Sequence, residues 1–381
     1  MPRRTMIPTT PDDLTPTWLE HALRESGALP AGTVSGLHWH VIGQEFGFTG
    51  VVVRLHPTYA DLPPDAAAPA SIIAKFPTAE PAAPSVYLTT RTRDAATARR
   101  HYERSARELR FYREIAPHSP VPIPRLLGGV DDDESGQIVF LLQDFPDATS
   151  GDVLRGCSAA EASLILAAIA PFHARWWGTD AFLWLPQWGG DRQARQERLA
   201  GQIDPFLERF GHQLPADVRH MVVHLGSHYA GVLAALHQAP ATIRHADLHL
   251  DNVLFQRPEA EPSIVILDWQ SVCRGPAAVD VAYVLFGSLD IDVRRAREAE
   301  LLRHYHALLI EHGVTGYSID ELHDDCRRAL LQQLAGTVGW LANADVDLFT
   351  GRERALVEAA IGDGRLVSAL LDHDVASLLA A

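Results

Sequence analysis

The densest set of residues that could do chemistry reads His-Ala-Asp-Leu-His-Leu-Asp-Asn over residues 245–252. A second apolar run, residues 263–267, ends at Asp268. A carboxylate, an amide five residues later and a carboxylate at the end of a strand suit magnesium-dependent phosphoryl transfer, because Mg²⁺ prefers hard oxygen ligands. In this interpretation Asp247 accepts a hydroxyl proton, and Asn252 and Asp268 bind the metal.

Two other interpretations of the same segment stay open. His245, Asp247 and His249 resemble a metallohydrolase cluster, since His and Asp side chains together can bind zinc. That hypothesis leaves Asn252 and Asp268 without a role. Alternatively, Asp247 and Asn252 are turn residues that hydrogen-bond their own backbone.

Lys75 is the one lysine among 33 basic residues, in the apolar run Ser-Ile-Ile-Ala-Lys-Phe-Pro of residues 71–77. A lysine offers what arginine cannot, a compact ammonium on a flexible stem that can also lose its proton. Three roles suit it: a phosphate clamp, a Schiff-base nucleophile, or chance survival on a surface. The glycine and Ser/Thr pattern of a P-loop is missing around it, so Lys75 is not a P-loop lysine.

The predicted elements that position these residues are mainly strands in the first part of the chain and mainly helices in the second. A hairpin is predicted from the β-branched runs 34–42 and 49–55, followed by a strand around Lys75, a charged helix over 93–115 and a strand over 137–142. From residue 158 onward helices dominate, and two of them open with capping boxes, Ser-Ala-Ala-Glu at 158–161 and Ser-Ile-Asp-Glu at 318–321. We therefore expect an α+β protein with a strand-rich domain over residues 1–146 and a helical domain over 147–381.

Composition excludes several classes of function. With 381 residues and a formal charge of −15, the chain is long enough for two domains and too acidic for a general affinity for nucleic acid. Cys157, Cys273 and Cys326 are odd in number and widely spaced, which favours a reduced, intracellular protein. No signal peptide or membrane span is indicated, so a soluble cytoplasmic protein with no membrane partner is expected.

The spacing His-x-Asp-x-x-x-x-Asn, followed by the strand that ends at Asp268, resembles the aminoglycoside phosphotransferase and choline kinase-like family. The segments Glu-Leu-Arg-Phe-Tyr-Arg-Glu (108–114), Phe-His-Ala-Arg-Trp-Trp (172–177) and Asp-Trp-Gln (268–270) are most similar to its ecdysteroid kinase-like group. The resemblance implies a bilobal protein-kinase-like fold, with a small strand-rich N-lobe and a larger, mostly helical C-lobe. It also implies ATP and Mg²⁺ as cofactors.

The resemblance assigns the catalytic and metal-binding roles residue by residue. It makes Asp247 the catalytic base or substrate-orienting carboxylate, and it makes Asn252 and Asp268 the magnesium ligands. Asp280 matches a position that braces the catalytic loop, which is a structural role. His173 is expected to be a packing histidine.

Nucleotide-binding roles follow from the same resemblance. Lys75 would clamp the α and β phosphates, and Glu108 would pair with it, although Glu103 is a competing partner. The phosphate loop would lie between the first two strands, and the hinge segment would offer backbone groups to adenine. The residues so assigned are Gly43, Gly47 and Gly50 in the loop and Gln143 and Phe145 in the hinge.

The activity so implied is transfer of phosphate from ATP to a hydroxyl of a small molecule, such as an antibiotic, an amino sugar, or a choline-like or steroid-like alcohol. Specificity should lie in residues 150–240 and 290–375, which include a tryptophan-rich stretch at 176–188 that is either core or substrate site. The alternatives are a nucleotide-binding pseudokinase or scaffold and, from the histidines of residues 245–249, a metal-dependent hydrolase.

Overall fold

The structure of the chain, a computed structural model, describes residues 7–43, 50–77, 95–256, 262–344, 346, 349, 351–362 and 364–379. These residues form two compact units. The first contains the described residues of Met1–Ser119, Ile123–Ala148 and Asp268–Gln270. The second contains those of Pro120–Pro122, Thr149–Leu267 and Ser271–Ala381. Asp268–Gln270 therefore pack with a unit from which they are distant in the sequence.

The first unit is built on a five-stranded antiparallel sheet in the order β1-β2-β3-β5-β4. Its strands are β1 (Thr33–Val41), β2 (Val51–Ala60), β3 (Ile72–Phe76), β4 (Leu126–Asp132) and β5 (Gln137–Gln143). β-branched and aromatic residues are frequent in these runs, as pleated and half-buried surfaces favour. The predicted hairpin is confirmed, since β1 and β2 are antiparallel neighbours.

Strand β3 places Lys75 by simple alternation of side chains. Ile72, Ala74 and Phe76 are buried on one face of the sheet, which leaves Lys75 on the opposite face. Lys75 is paired with Val52 of β2 and with a residue of β5, so strands flank it on both sides. The backbone that carries the lysine is therefore held in the interior of the sheet.

Two helices complete the first unit, α1 (Pro16–Glu25) and α2 (Ala95–Glu114). Helix α1 begins after Thr15, whose hydroxyl accepts a hydrogen bond from the main-chain N–H of Trp18 at 3.1 Å. The predicted charged helix is α2, which has one buried stripe at helical spacing. That stripe consists of Tyr102, Ser105, Glu108, Leu109, Phe111 and Tyr112. A glutamate within it needs a partner, because an unpaired buried carboxylate is costly.

The second unit is mainly helical. Its helices are α3 (Ala159–Arg175), α4 (Arg192–Phe210), α5 (Ala216–Leu236), α6 (Ala278–Ala282), α7 (Ile291–Glu311), α8 (Ile319–Asn343), α9 (Gly351–Ile361) and α10 (Arg365–Asp372). Both predicted capping boxes are confirmed, at Ser158 and at Ser318. The described helices include none that is long and apolar enough to cross a membrane.

Short strands in the second unit carry the segment of residues 245–252. They are β6 (Thr149–Ser150), β7 (Ala241–Arg244), β8 (Val253–Gln256), β9 (Ser263–Ile266) and β10 (Cys273–Pro276). Strands β6, β8 and β9 form one small sheet, and β7 pairs with β10 in another. The segment thus runs from the end of β7 to the start of β8, with regular structure fixing both of its ends.

Candidate active site

A buried ion-pair cluster surrounds Lys75 in the first unit. The Nζ atom of Lys75 donates to both carboxylate oxygens of Glu108, at 2.7 and 2.8 Å, and to Oδ1 of Asp268 at 3.1 Å. The exposed fractions of the three side chains are 13% for Lys75, 2% for Glu108 and 13% for Asp268. Two carboxylates thus face one ammonium group in a largely dehydrated setting.

The protonation of this cluster follows from its geometry. Burial alone would lower the pKa of Lys75, but the charges of Asp268 and Glu108 outweigh it and hold the pKa above its ordinary value. Burial raises the pKa of Glu108, and the charge of Lys75 opposes that shift. Lys75 is therefore an ammonium ion at neutral pH, which suits a phosphate-binding cation and not a Schiff-base nucleophile.

Contacts from α2 hold this arrangement in place. Trp269 stacks on Phe111 with ring centroids 4.3 Å apart and an interplanar angle of 11°. Its main-chain N–H also donates to Glu108. The competing acid, Glu103, pairs with Arg99 on the exposed side of α2 at 2.9 Å. The structure thus places Glu108, and not Glu103, beside Lys75.

An open cavity adjoins the cluster within the first unit. Its lining residues are Gly50, Val51, Val52, Lys75, Phe76, Pro77, Ser105, Glu108, Asp268 and Gln270. At Gly50, a Cβ atom would overlap the carbonyl oxygen of Phe76 and lie 2.6 Å from Cα of Pro77, so only glycine fits there. Gly43 adopts a φ of 70°, and Gly47 lies outside the described residues.

Asp144, between the predicted adenine-contacting residues Gln143 and Phe145, forms a network that the sequence did not reveal. Its side chain is 3% exposed and pairs with Nε of Arg54 at 2.7 Å. It also accepts from Oγ of Ser71 at 2.6 Å and from the main-chain N–H of Phe145 at 2.9 Å. The Phe145 N–H is therefore engaged within the chain. No spacing rule links residues 54, 71 and 144, so sequence reasoning had no signal for this contact.

In the second unit, main-chain hydrogen bonds fix Asp247 while its carboxylate stays one-third exposed. The N–H of Asp247 donates to Nδ1 of His245 at 3.2 Å. Its carbonyl oxygen accepts from Nδ2 of Asn252 and from the N–H of His249, both at 2.9 Å. A carboxylate that projects from so constrained a backbone is suited to orient a hydroxyl group.

One histidine of this segment bonds the backbone through both of its ring nitrogens. Nε2 of His245 bonds the carbonyl oxygen of Leu267 at 2.7 Å, and its other ring nitrogen accepts from Asp247. Both nitrogens of this imidazole are thus used by the backbone. In the part of the chain that the structure describes, no group of three or more His, Cys, Asp or Glu residues is arranged to hold a metal ion. The geometry gives the hydrolase hypothesis no support.

The donor set does fit Mg²⁺. Nδ2 of Asn252 bonds the Asp247 carbonyl and lies 3.1 Å from Nε2 of His249, which leaves the amide oxygen as its remaining polar atom. The Asp268 carboxylate accepts from Nζ of Lys75 and from Nε2 of Gln270, and a carboxylate offers about four lone-pair sites in all. An amide oxygen and a carboxylate are the hard ligands that Mg²⁺ selects.

Asp280 braces this segment from α6. Its side chain is 1% exposed and accepts from the N–H groups of His245 at 2.7 Å and Ala246 at 2.9 Å. Ala246 has a φ of 70°, a left-handed conformation that a non-glycine residue adopts only when its surroundings impose it. Burial favours the neutral acid, but the hydrogen bond from His173 and nearby positive charges hold the pKa of Asp280 below its ordinary value. His173, also buried, packs against Tyr305, as expected of a packing histidine.

Removing the Asp280 carboxylate should destabilise the protein measurably. We expect Asp280→Ala to lower the free energy of unfolding by about 2–6 kcal/mol, since the N–H groups of buried His245 and half-buried Ala246 each lose a partner at about 1–3 kcal/mol. Because the pKa is lowered on folding, this contribution is present above about pH 4 and is lost as the pH falls through the folded value. Urea unfolding at pH 7 measures it, with the exposed Asp292→Ala as control. Equal stability of the two variants would contradict the bracing role.

Trp176 and Trp177, in the tryptophan-rich stretch of residues 176–188, pack against protein side chains. Trp176 contacts Phe182 edge-on with ring centroids 5.2 Å apart, and Trp177 lies 5.1 Å from Tyr317. Trp188 is 8% exposed. These contacts favour the core interpretation of this stretch.

Comparison with known proteins identifies the family. A sequence model of the phosphotransferase enzyme family matches residues 82–318. The chain belongs to this family. The match spans α2 and the segment of residues 245–252, so the proposed catalytic loop lies within the phosphotransferase region. No curated protein matches the sequence at a significant level.

Solved structures share the fold of this phosphotransferase. A choline kinase from Cryptosporidium parvum Iowa II has a TM-score of 0.54 at 10% identity, covering 95% of this chain and 99% of that one. A candidate aminoglycoside phosphotransferase from Ralstonia eutropha JMP134 has a TM-score of 0.53 at 16% identity, covering 94% and 97%. A GDP complex of an aminoglycoside 2′-phosphotransferase-IIIa mutant has a TM-score of 0.50 at 10% identity, covering 96% and 99%. These likenesses confirm the predicted α+β, kinase-like fold class.

Proposed function

We propose that this phosphotransferase uses ATP and Mg²⁺ to phosphorylate a hydroxyl group of a small molecule. The observation that carries the proposal is the lone lysine of the chain, held by Glu108 and Asp268 beside an open cavity. Residues 1–146 would form the nucleotide-binding domain, and residues 147–381 would supply the catalytic loop and the acceptor site. A nucleotide in the GDP complex of a structure with the same fold supports nucleotide use.

Each of the site residues has a separate role in the proposed reaction. Lys75 would bind phosphate oxygens as a fixed positive charge, with Glu108 holding the ammonium in place. Asp247 would accept a hydrogen bond from the acceptor hydroxyl, aim its oxygen at the γ-phosphate and take its proton. Asn252 and Asp268 would hold Mg²⁺, which when bound neutralises phosphate charge.

The class of acceptor is part of the proposal. We favour an alcohol, in a cationic or ring-bearing molecule such as an amino sugar, an antibiotic or a choline-like compound. The formal charge of −15 supports a cationic acceptor. A choline kinase and an aminoglycoside phosphotransferase have the same fold, which fits that choice.

The test is a panel of such alcohols incubated with the purified chain, ATP and Mg²⁺. ADP release that requires an alcohol, together with a phosphorylated alcohol identified by mass spectrometry, is the expected result. ADP release that ignores every alcohol would contradict phosphoryl transfer to a hydroxyl. Tightly bound stoichiometric zinc in the purified protein would contradict the proposal and favour the hydrolase.

A further inference from the structure

An arginine near the end of the chain contacts the candidate catalytic loop. Arg352 lies in the first turn of α9, beyond residue 318, where the family match ends. Its Nη2 atom donates to both carboxylate oxygens of Asp251, at 2.8 and 2.9 Å. Its Nη1 atom donates to Oδ1 of Asp152 at 2.9 Å. One guanidinium group therefore joins three separate segments of the second unit.

Asp251 is the part of the loop that this arginine holds. The exposed fractions are 12% for the side chain of Asp251 and 19% for that of Arg352. Oδ1 of Asp251 also accepts from the main-chain N–H of Val153 at 2.8 Å. A guanidinium nitrogen that bonds both oxygens of one carboxylate, while its partner nitrogen bonds a second carboxylate, fixes orientation as well as distance. The carboxylate is thus held from both the Asp152–Val153 segment and α9.

The backbone beside Asp251 is packed equally closely. The N–H of Gly151 donates to the carbonyl oxygen of Val253 at 2.8 Å. A Cβ atom at Gly151 would overlap the carbonyl oxygen of Leu250, so the two segments touch through their main chains. Residues 250–253 consequently have little freedom to move while Arg352 and the Gly151 segment remain in place.

Asn252 is the next residue and shares this constraint. Residues Leu250–Asn252 form a single 3₁₀ turn in which the N–H of Asn252 donates to the carbonyl oxygen of His249 at 3.0 Å. A shift of Asp251 within so short a turn must carry Asn252 with it. Asn252 in turn bonds the carbonyl of Asp247, so the turn connects two of the residues that the proposed reaction uses.

We propose that Arg352 is a positioning residue that fixes Asn252 through Asp251 and thereby sets the affinity of the site for its divalent cation. The inference rests on the proposed function, because it assigns Asn252 to the metal. The C-terminal helical segment then has a role in catalysis although it touches none of the reacting atoms. Partners that orient metal ligands typically contribute 10- to 100-fold to metal affinity.

The test compares Arg352→Gln with a matched control, Arg365→Gln. Arg365 is 18% exposed and donates to the carbonyl oxygens of Val153 at 2.6 Å and Leu154 at 3.3 Å. It holds the same neighbouring segment without touching Asp251. Titration of Mn²⁺ by electron paramagnetic resonance in the presence of ADP measures metal affinity directly. We expect about 10-fold weaker binding in Arg352→Gln and unchanged binding in Arg365→Gln.

Hydrogen exchange of the metal-free protein is a second readout. Amides of residues 247–253 should exchange faster in Arg352→Gln than in the wild type, and at the wild-type rate in Arg365→Gln. Adding Asp251→Asn to Arg352→Gln should cause no further loss of Mn²⁺ affinity, since the arginine acts through that carboxylate. If Arg352→Gln does not fold, Arg352→Lys is the second variant. It keeps the positive charge but lacks the planar, forked guanidinium group, and it should show a smaller loss of Mn²⁺ affinity.

The outcomes separate this inference from the proposed function. Equal Mn²⁺ affinity and equal exchange in Arg352→Gln and the control would overturn the positioning role, even if the wild type phosphorylates an alcohol. Weaker Mn²⁺ binding with faster exchange would support it, even if no alcohol in the panel were phosphorylated. Independent, additive effects of Arg352→Gln and Asp251→Asn would also overturn it.

Discussion

Replacing Lys75 with arginine should lower kcat/KM for an accepted alcohol by about 100- to 1000-fold, the usual loss when one preorganised hydrogen-bond donor is removed from a transition state. The substitution keeps the positive charge, so a large loss would show that geometry is what the site requires. The measurement is steady-state ADP release with ATP varied at a fixed alcohol concentration.

The physical reason lies in the size of the space around Nζ. Lys75 reaches Glu108 at 2.7 Å and Asp268 at 3.1 Å with only 13% of its side chain exposed. A guanidinium group is planar and wider, and it would satisfy the two carboxylates in a fork geometry that turns its donors away from the cavity. Charge would then be present at the cluster but not aimed at a phosphate oxygen.

Controls distinguish this effect from damage to the fold. Arg110 pairs with Glu114 at 2.7 Å on the exposed side of the same helix that carries Glu108, so Arg110→Lys should leave turnover unchanged. Thermal unfolding should show that Lys75→Arg retains its structure.

The pH dependence of the wild type follows from the same ion pairs. Because the folded pKa of Lys75 is raised, the stability that this ammonium contributes is present below the ordinary pKa of lysine, near 10.5. It is lost only as the pH rises through the folded pKa. The wild-type rate should therefore show no loss from Lys75 titration between pH 7 and 9. Full activity of Lys75→Arg would refute the phosphate-binding role.

Local features of the site could be predicted because local physics decides them. Alternation along β3 places Lys75 on the face opposite the buried residues, whatever the rest of the chain does. The helical stripe that contains Glu108 follows in the same way from a period of 3.6 residues. Their pairing is non-local, and the sequence suggested it only through resemblance to a family.

Contacts between distant charged residues could not be predicted in this way. With 32 arginines in the chain, composition alone does not say which of them meets Asp144 or Asp251. The pairs with Arg54 and Arg352 depend on how β2 and α9 pack, which no spacing rule encodes. The partners of His245 are equally non-local, since the sequence does not show that both of its ring nitrogens bond the backbone.

The inclusion of Asp268–Gln270 in the first unit is a further non-local result. Sequence order places these residues in the helical half of the chain, after β9. Stacking of Trp269 on Phe111 instead joins them to α2, and Asp268 thereby reaches Lys75. A fully buried aromatic pair is energetically favourable beyond its area alone, so this contact can outweigh sequence proximity.

Asp247→Asn should lower kcat by about 100- to 10,000-fold, the range typical for loss of a positioned general base. The amide keeps the shape of the side chain, and the main-chain bonds of Asp247 to His245 and Asn252 do not involve the carboxylate. The loop should therefore keep its conformation, and the KM for ATP should change little. The measurement is single-turnover phosphorylation of an accepted alcohol, with nucleotide affinity obtained separately by titration of ADP.

The pattern of losses identifies the role of Asp247 more sharply than their size. An asparagine can still accept a hydrogen bond from the acceptor hydroxyl, but it cannot take the proton. We therefore expect kcat to fall while the KM for the alcohol stays close to its wild-type value. Asp217→Asn, an exposed change at the start of α5 in the same unit, should leave both constants unchanged. If Asp247→Asn lost ADP affinity with its turnover intact, Asp247 would belong to the nucleotide or metal site instead. Nearly full single-turnover rates would show that the hydroxyl needs no base from this residue, and the catalytic assignment would have to move elsewhere in the loop.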